Sequence, residues 1–194
     1  MRVILSLLLI AIPTAALAHT GHGDTAGFVH GFVHPLSGLD HVLPMLAVGL
    51  LAFVLGGRAL WLVPLSFVGM MAIGFLLGRA GLELPMVELG IAFSGIVIGG
   101  IAALGRPIPL AAAMGLVGAF ALFHGQAHGS EMPADANGLN YAFGFIAATA
   151  LLHLSGIAAA LTAAALAGRF GRRLVQIAGG ALALGGLGFL AGWL

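Results

Sequence analysis

The 194-residue chain is 61% hydrophobic and 7% charged, with a mean hydropathy of +1.15. A water-facing domain carries roughly 25% charged residues, so this composition excludes an ordinary soluble fold and points to the bilayer. The net charge is only +1, with no lysine to build a basic face for nucleic acid, and the absence of cysteine excludes disulfides and thiolate metal sites.

The first 18 residues read as a separate object. Arg2 supplies a positive start, VILSLLLIAI is a short apolar run, Pro13 ends it, and Ala16-Leu17-Ala18 is a small-x-small cleavage signal. Residues 1–18 are therefore expected to be a cleaved secretory signal, leaving His19 at the mature N-terminus on the periplasmic side. Residues 19–34 follow as a histidine-rich periplasmic segment with His19, His22, His30 and His34. It contains a small tandem, Gly27-Phe28-Val29-His30 and then Gly31-Phe32-Val33-His34.

From residue 35 to 194 the chain divides on the ruler of about 20 apolar residues per crossing. Spans are expected at about 35–56, 60–78, 85–104, 107–127, 139–167 and 173–194. Pro35, Pro85 and Pro107 stand where a first helical turn accepts proline. The fifth segment exceeds one simple span, so its outer end should project or tilt. The expected fold is all-α: a polytopic membrane protein of six transmembrane helices after a cleaved signal peptide. Gly95 with Gly99, and Gly188 with Gly192, have the spacing that lets helices approach closely in lipid.

An exported N-terminus orients these spans. The inner connections then hold Arg58, Arg106, Arg169, Arg172 and Arg173, and the outer ones only Arg79. That asymmetry obeys the positive-inside rule and is expected to place both mature termini on the outer side of the membrane.

All eight histidines avoid the inner loops. In HPLSGLDH, His34 and His41 are seven apart and share a helix face with Gly38, while Asp40 lies about 100° from His41. Pro44 has no N–H to bond the Asp40 carbonyl, which leaves that oxygen beside a carboxylate and an imidazole. His124 and His128 have the i, i+4 spacing that lets two imidazoles meet one ion, with Gln126 and Glu131 nearby. Glu88 shares a face with the small residues Ala92 and Gly95, and is expected to point into the bundle. His153 shares a small, interior-looking face with Thr149, Gly156 and Ala160. Taken singly, Asp40 or Glu88 could serve a helix N-terminus, and His153 could be an interhelical hydrogen-bonding group. Together they read as an outward-open metal site or path, because ionisable groups in spans are functional by default. Imidazole suits nickel, copper, zinc and iron.

HPLSGLDH resembles the HPxxGxDH motif that opens the first span of the HupE/UreJ family. FHGQAHGSE, residues 123–131, resembles its second pattern, FHGxAHGxE, in the fourth span. The likeness covers the whole chain. It implies a permease, not an enzyme, whose substrate is divalent nickel, or cobalt in some members, serving hydrogenase or urease maturation proteins. The motif positions implied for the metal are His34, Asp40, His41, His124, His128 and Glu131. Glu88 and His153 join them from the reading of the residues. No GxxxxGK[ST] run is present, so nucleotide-driven pumping is not expected. The rival reading is a membrane-embedded zinc hydrolase with an outward-facing His/Asp site and Glu131 or Glu88 as base, though a strict HExxH is lacking.

Overall fold

The computed structural model describes residues 24–193, so the expected signal peptide, His19 and His22 lie outside the described residues. Within them the chain is helical: α1 (Asp24–Ser37), α2 (Leu39–Leu55), α3 (Ala59–Arg79), α4 (Val87–Leu104), α5 (Leu110–Ser130), α6 (Gly138–Ala167), a 3-10 turn at Gly168–Phe170, and α7 (Gly171–Leu190). Three of these helices, α3, α4 and α5, are each long and apolar enough to cross a membrane. So is the continuous run Gly138–Leu190, and α1 with α2 passes the same test as one bent pair. Outward faces carry exposed Leu65, Leu76, Leu151, Leu154, Leu161, Ile177 and Leu184, the inverse of a soluble surface.

The expected segments beyond residue 59 reappear as helices with ends shifted by a few residues. The first does not. Instead of one helix from residue 35, two helices meet at Gly38 with a bend of 83°. Gly38 is extended (φ −116°, ψ 127°), and its carbonyl accepts from His41 and Val42 to start α2. Ser37 Oγ donates to the His34 carbonyl at 2.6 Å, satisfying an acceptor at the end of α1. Pro35 therefore lies in the last turn of α1, not the first turn of a span. The division expected at residue 34 falls inside this helix.

The length of α6 has a use. Its 30 residues reach about 45 Å at 1.5 Å per residue, against a hydrocarbon core of about 30 Å. The excess at its start receives α1, which packs mainly on α6. Glycines make that contact close: a Cβ on Gly31 would strike the Tyr141 backbone, and one on Gly144 would strike the backbone of Phe28 and Phe32.

Helix α2 is the central post. It is buried at nearly every position from Pro44 to Val54 and touches α3, α4, α5, α6 and α7. Around it, α3 pairs with α5 and α4 with α7. The first pairing is backbone against backbone. Gly74 and Gly78 of α3 face Gly125 and Gly129 of α5, and a Cβ on Gly129 would lie 3.1 Å from the Gly78 Cα. Small residues at spacing four allow this approach, and dispersion between the closely packed helices repays it. Gly95 and Gly99 do pack on α7, against Gly186 and against Gly179 with Ala183. Gly188 is buried, but Gly192 sits past the end of α7 with φ +70° and open space around it, so that second pair is not a packing motif.

Overpacking this seam should be costly. Gly125→Val would overlap the Phe75 backbone nitrogen, 2.8 Å from a Cβ. We expect it to destabilise the protein by about 1–3 kcal/mol, seen as a lower melting temperature in detergent. Gly115→Ala, where a Cβ meets nothing within 4 Å, should leave melting unchanged.

Candidate metal site

The break at Gly38 and the α3–α5 seam bring the two polar motifs together. On α5, Gly125 and Gly129 face α3. The preceding residues, His124 and His128, are rotated by about 100° and face the interior instead. Both are fully buried. Helix α2 brings His41 against them, its ring centroid 5.1 Å from that of His124 and 5.0 Å from that of His128. Helix α1 brings His34 from the other side of the bend, 5.0 Å from His128 and 6.1 Å from His41. His34 and His41 meet, but across a corner rather than along the single helix face that their spacing suggested.

Carboxylates flank this group. Glu131 Oε2 lies 3.0 Å from His34 Nε2, and Asp40 Oδ2 lies 3.0 Å from His41 Nδ1. Side-chain exposure falls from 48% at Glu131 and 33% at His34 to 10% at His41, and His124 and His128 are closed off entirely. An open pocket of about 270 Å³ at the shallow end is lined by His30, Val33, His34, Ser37, Glu131, Pro133 and Tyr141. The arrangement is a mouth leading to a buried cluster.

The hydrogen bonding leaves ligand atoms unused. A carboxylate accepts, so Asp40 takes the Nδ1 proton of His41 and leaves Nε2, which is buried and has no protein partner. His124 Nδ1 and both nitrogens of His128 are also buried without one. Among the described residues, no three of these side chains already form a closed ligand sphere. The rings meet edge to face or tilted, and their nitrogens would have to turn toward a shared ion to reach bonds of about 2.0–2.1 Å.

His153 is placed differently. It is buried in α6, as its small-residue face suggested, with both ring nitrogens unpartnered. The Phe67 ring stands beside it at 5.1 Å and beside His124 at 5.5 Å. Two to three turns further along each helix, Val48 and Leu51 of α2, Val117 of α5 and Ala160 of α6 are apolar and buried.

Glu88 is the departure. It was expected to point inward, yet it is exposed. Helix α4 begins at Val87, after Met86 in the left-handed region, so Glu88 occupies its first turn at the rim. The face itself was read correctly, since Ala92 and Gly95 are buried and line a narrow crevice with Asp40 and Pro44. The residue that α4 sends into the cluster is Ser94, whose Oγ lies 2.9 Å from His124 Nε2. Sequence reasoning passed over it, although it is the single hydroxyl of that helix. It also passed over Phe145, stacked on His128 at 4.8 Å, and Tyr141, the chain's single tyrosine, beside His34. Gln126 has a structural task instead, accepting from the Leu84 backbone N–H at 2.8 Å.

A helical bundle with apolar outer faces and a cluster of buried imidazoles defines a multi-pass membrane protein. Its family is explicit: residues 7–189 match the model of the HupE / UreJ protein family, to which the chain belongs. A curated relative, "Protein HupE" of Rhizobium leguminosarum bv. viciae, is 44% identical over 192 residues, covering 98% of each chain. No solved structure matches the chain.

Gly38 offers a test of the corner. A Cβ there would collide with Asp40 Oδ1 and approach His41 Nδ1 at 3.7 Å. Gly38→Ala should displace the Asp40–His41 pair. On the reading of this cluster as a metal site, affinity of the purified protein for a divalent transition metal, measured calorimetrically, should fall about 10–100-fold, as when a ligand's supporting partner is lost.

Proposed function

We propose that the chain is a secondary transporter that imports divalent nickel, with cobalt as a second substrate, for the maturation of hydrogenase or urease. The observation that carries this reading is the burial of His41, His124 and His128 together, with unpartnered ring nitrogens, at the foot of a mouth bearing Glu131 and His34. Carboxylates and imidazoles at the mouth replace part of the hydration shell of the ion. The neutral rings below accept it, and His153 is the next nitrogen donor inward, behind Phe67. Asp40 orients His41, and Glu88, exposed in the first turn of α4, can attract cations.

The same proposal has α1–α2, α3, α4, α5, α6 and α7 as six crossings of the inner membrane, with the histidine cluster facing the periplasm. The arginines at 58, 106, 169, 172 and 173 support this orientation. A membrane potential supplies about 2.3 kcal/mol per charge per 100 mV, hence about 4.6 kcal/mol for a dication moving fully inward. The hydrolase alternative gains nothing from the family match.

Two measurements test the reading. His41→Ala and Asp40→Asn should each reduce nickel accumulation to the level of cells lacking the protein, with membrane abundance unchanged. Normal uptake by both at limiting nickel would overturn it. The absence of cysteine also permits clean labelling. A cysteine replacing Leu82 should react with a membrane-impermeant maleimide added outside the inner membrane, and one replacing Arg106 should react only after the membrane is opened.

A further inference from the structure

We propose that Ser94 is a positioning residue that fixes His124 with its proton on Nε2 and so presents Nδ1 as the lone pair offered to the metal. The inference rests on the metal-transport reading and adds to it a residue outside both sequence motifs.

Ser94 and His124 are each fully buried, on α4 and α5. The serine Oγ has two neighbours: the Ile91 carbonyl at 2.6 Å and His124 Nε2 at 2.9 Å. A hydroxyl has one proton and two lone pairs, whereas a carbonyl oxygen only accepts. The short contact to Ile91 therefore consumes the serine proton. Toward His124 the serine oxygen can only accept, and Nε2 must donate. A neutral imidazole has a single N–H, so Nδ1 carries the lone pair. That atom is buried and has no protein partner.

The surroundings reinforce the assignment. His41, centred 5.1 Å from His124, is held in the opposite sense: Asp40 takes its Nδ1 proton and leaves Nε2 free. Two rings from two helices are thus each pinned through one nitrogen, by a different partner, and each leaves the other nitrogen unused. Supporting partners of this kind fix the tautomer and orientation of ligating histidines. Because Ser94 is bonded back to its own helix, it cannot rotate away without exposing both the Ile91 carbonyl and the His124 N–H to an apolar interior.

The test uses full-length protein purified in detergent with nitrogen-labelled histidine, the His124 signal being assigned with a His124→Gln variant. In metal-free wild type, His124 should appear as the Nε2–H tautomer. Ser94→Ala should abolish that preference and weaken binding of Ni2+ by about 10-fold or more. Ser94→Thr, which keeps the hydroxyl, should recover both. A His124 proton on Nδ1 in wild type, or Ser94→Ala binding Ni2+ as tightly as wild type, would overturn the proposal. If Ser94→Ala fails to fold, the wild-type spectrum still decides. Wild type that binds no Ni2+ while showing the Nε2–H tautomer would instead sink the transport reading and leave the tautomer assignment standing.

Discussion

Buried imidazoles without protein partners are the constraint on which the rest of this structure turns. A polar group taken from water and left unbonded costs about 1–3 kcal/mol, and here His41, His124, His128 and His153 together present six such nitrogens. An apolar bundle holds them only if its walls are stiff enough to prevent collapse or rotation. The glycine seam between α3 and α5 supplies that stiffness on one side. Its residues alternate in purpose along α5: Gly125 and Gly129 press on α3, while His124 and His128, one position earlier, face the cluster. A single four-residue repeat thus sets both the packing and the placement of the imidazoles.

The corner at Gly38 solves a second problem. A straight helix would send His34 one way along the membrane normal and leave Glu131 without a facing imidazole. By bending 83°, the chain lays α1 across the overhanging start of α6 and swings His34 over His128. Glycine at this corner leaves free the volume that the Asp40 carboxylate occupies when it pairs with His41. The length of α6, the glycines of the GFVH tandem and the bend are therefore one device. Gly31 allows α1 to lie flat on the Tyr141 backbone, and the overhang gives it something to lie on.

Much of this was legible in the residues. The apolar segments after residue 59 could be measured directly, because a bilayer imposes a length that composition reveals. The small faces below His153 and Glu88 were visible from helical periodicity. The bend was not, because Pro35 and Gly38 are equally compatible with the start of a helix and with a corner, and the choice was made by α6, more than 100 residues away in sequence. Glu88 was misplaced for a related reason. Periodicity gives the angle of a side chain around a helix but not its height relative to the packed layer, and one turn at the rim separates an exposed Glu88 from a buried Ala92. Ser94 escaped notice because a lone serine in a span ordinarily bonds back to its own helix; it does so here as well, and its second contact exists only in three dimensions.

On the proposed metal-transport reading, the order of donors from rim to cluster would carry its own selectivity. Oxygen donors stand at the outer, more exposed level, in Glu131 and at the side in Asp40. Deeper down, His124, His128 and His153 offer nitrogen alone, between Phe67 and Phe145. Hard ions such as magnesium and calcium are satisfied by carboxylate and water and gain little from imidazole, whereas nickel, cobalt and zinc gain more from nitrogen at each step. A hard ion reaching the rim would have to exchange good ligands for poor ones, and would surrender water to a dry lining as it did so. A borderline ion would exchange them at near parity. On that reading, discrimination against the abundant hard cations would come from the burial of His124, His128 and His153, which present nitrogen rather than carboxylate oxygen.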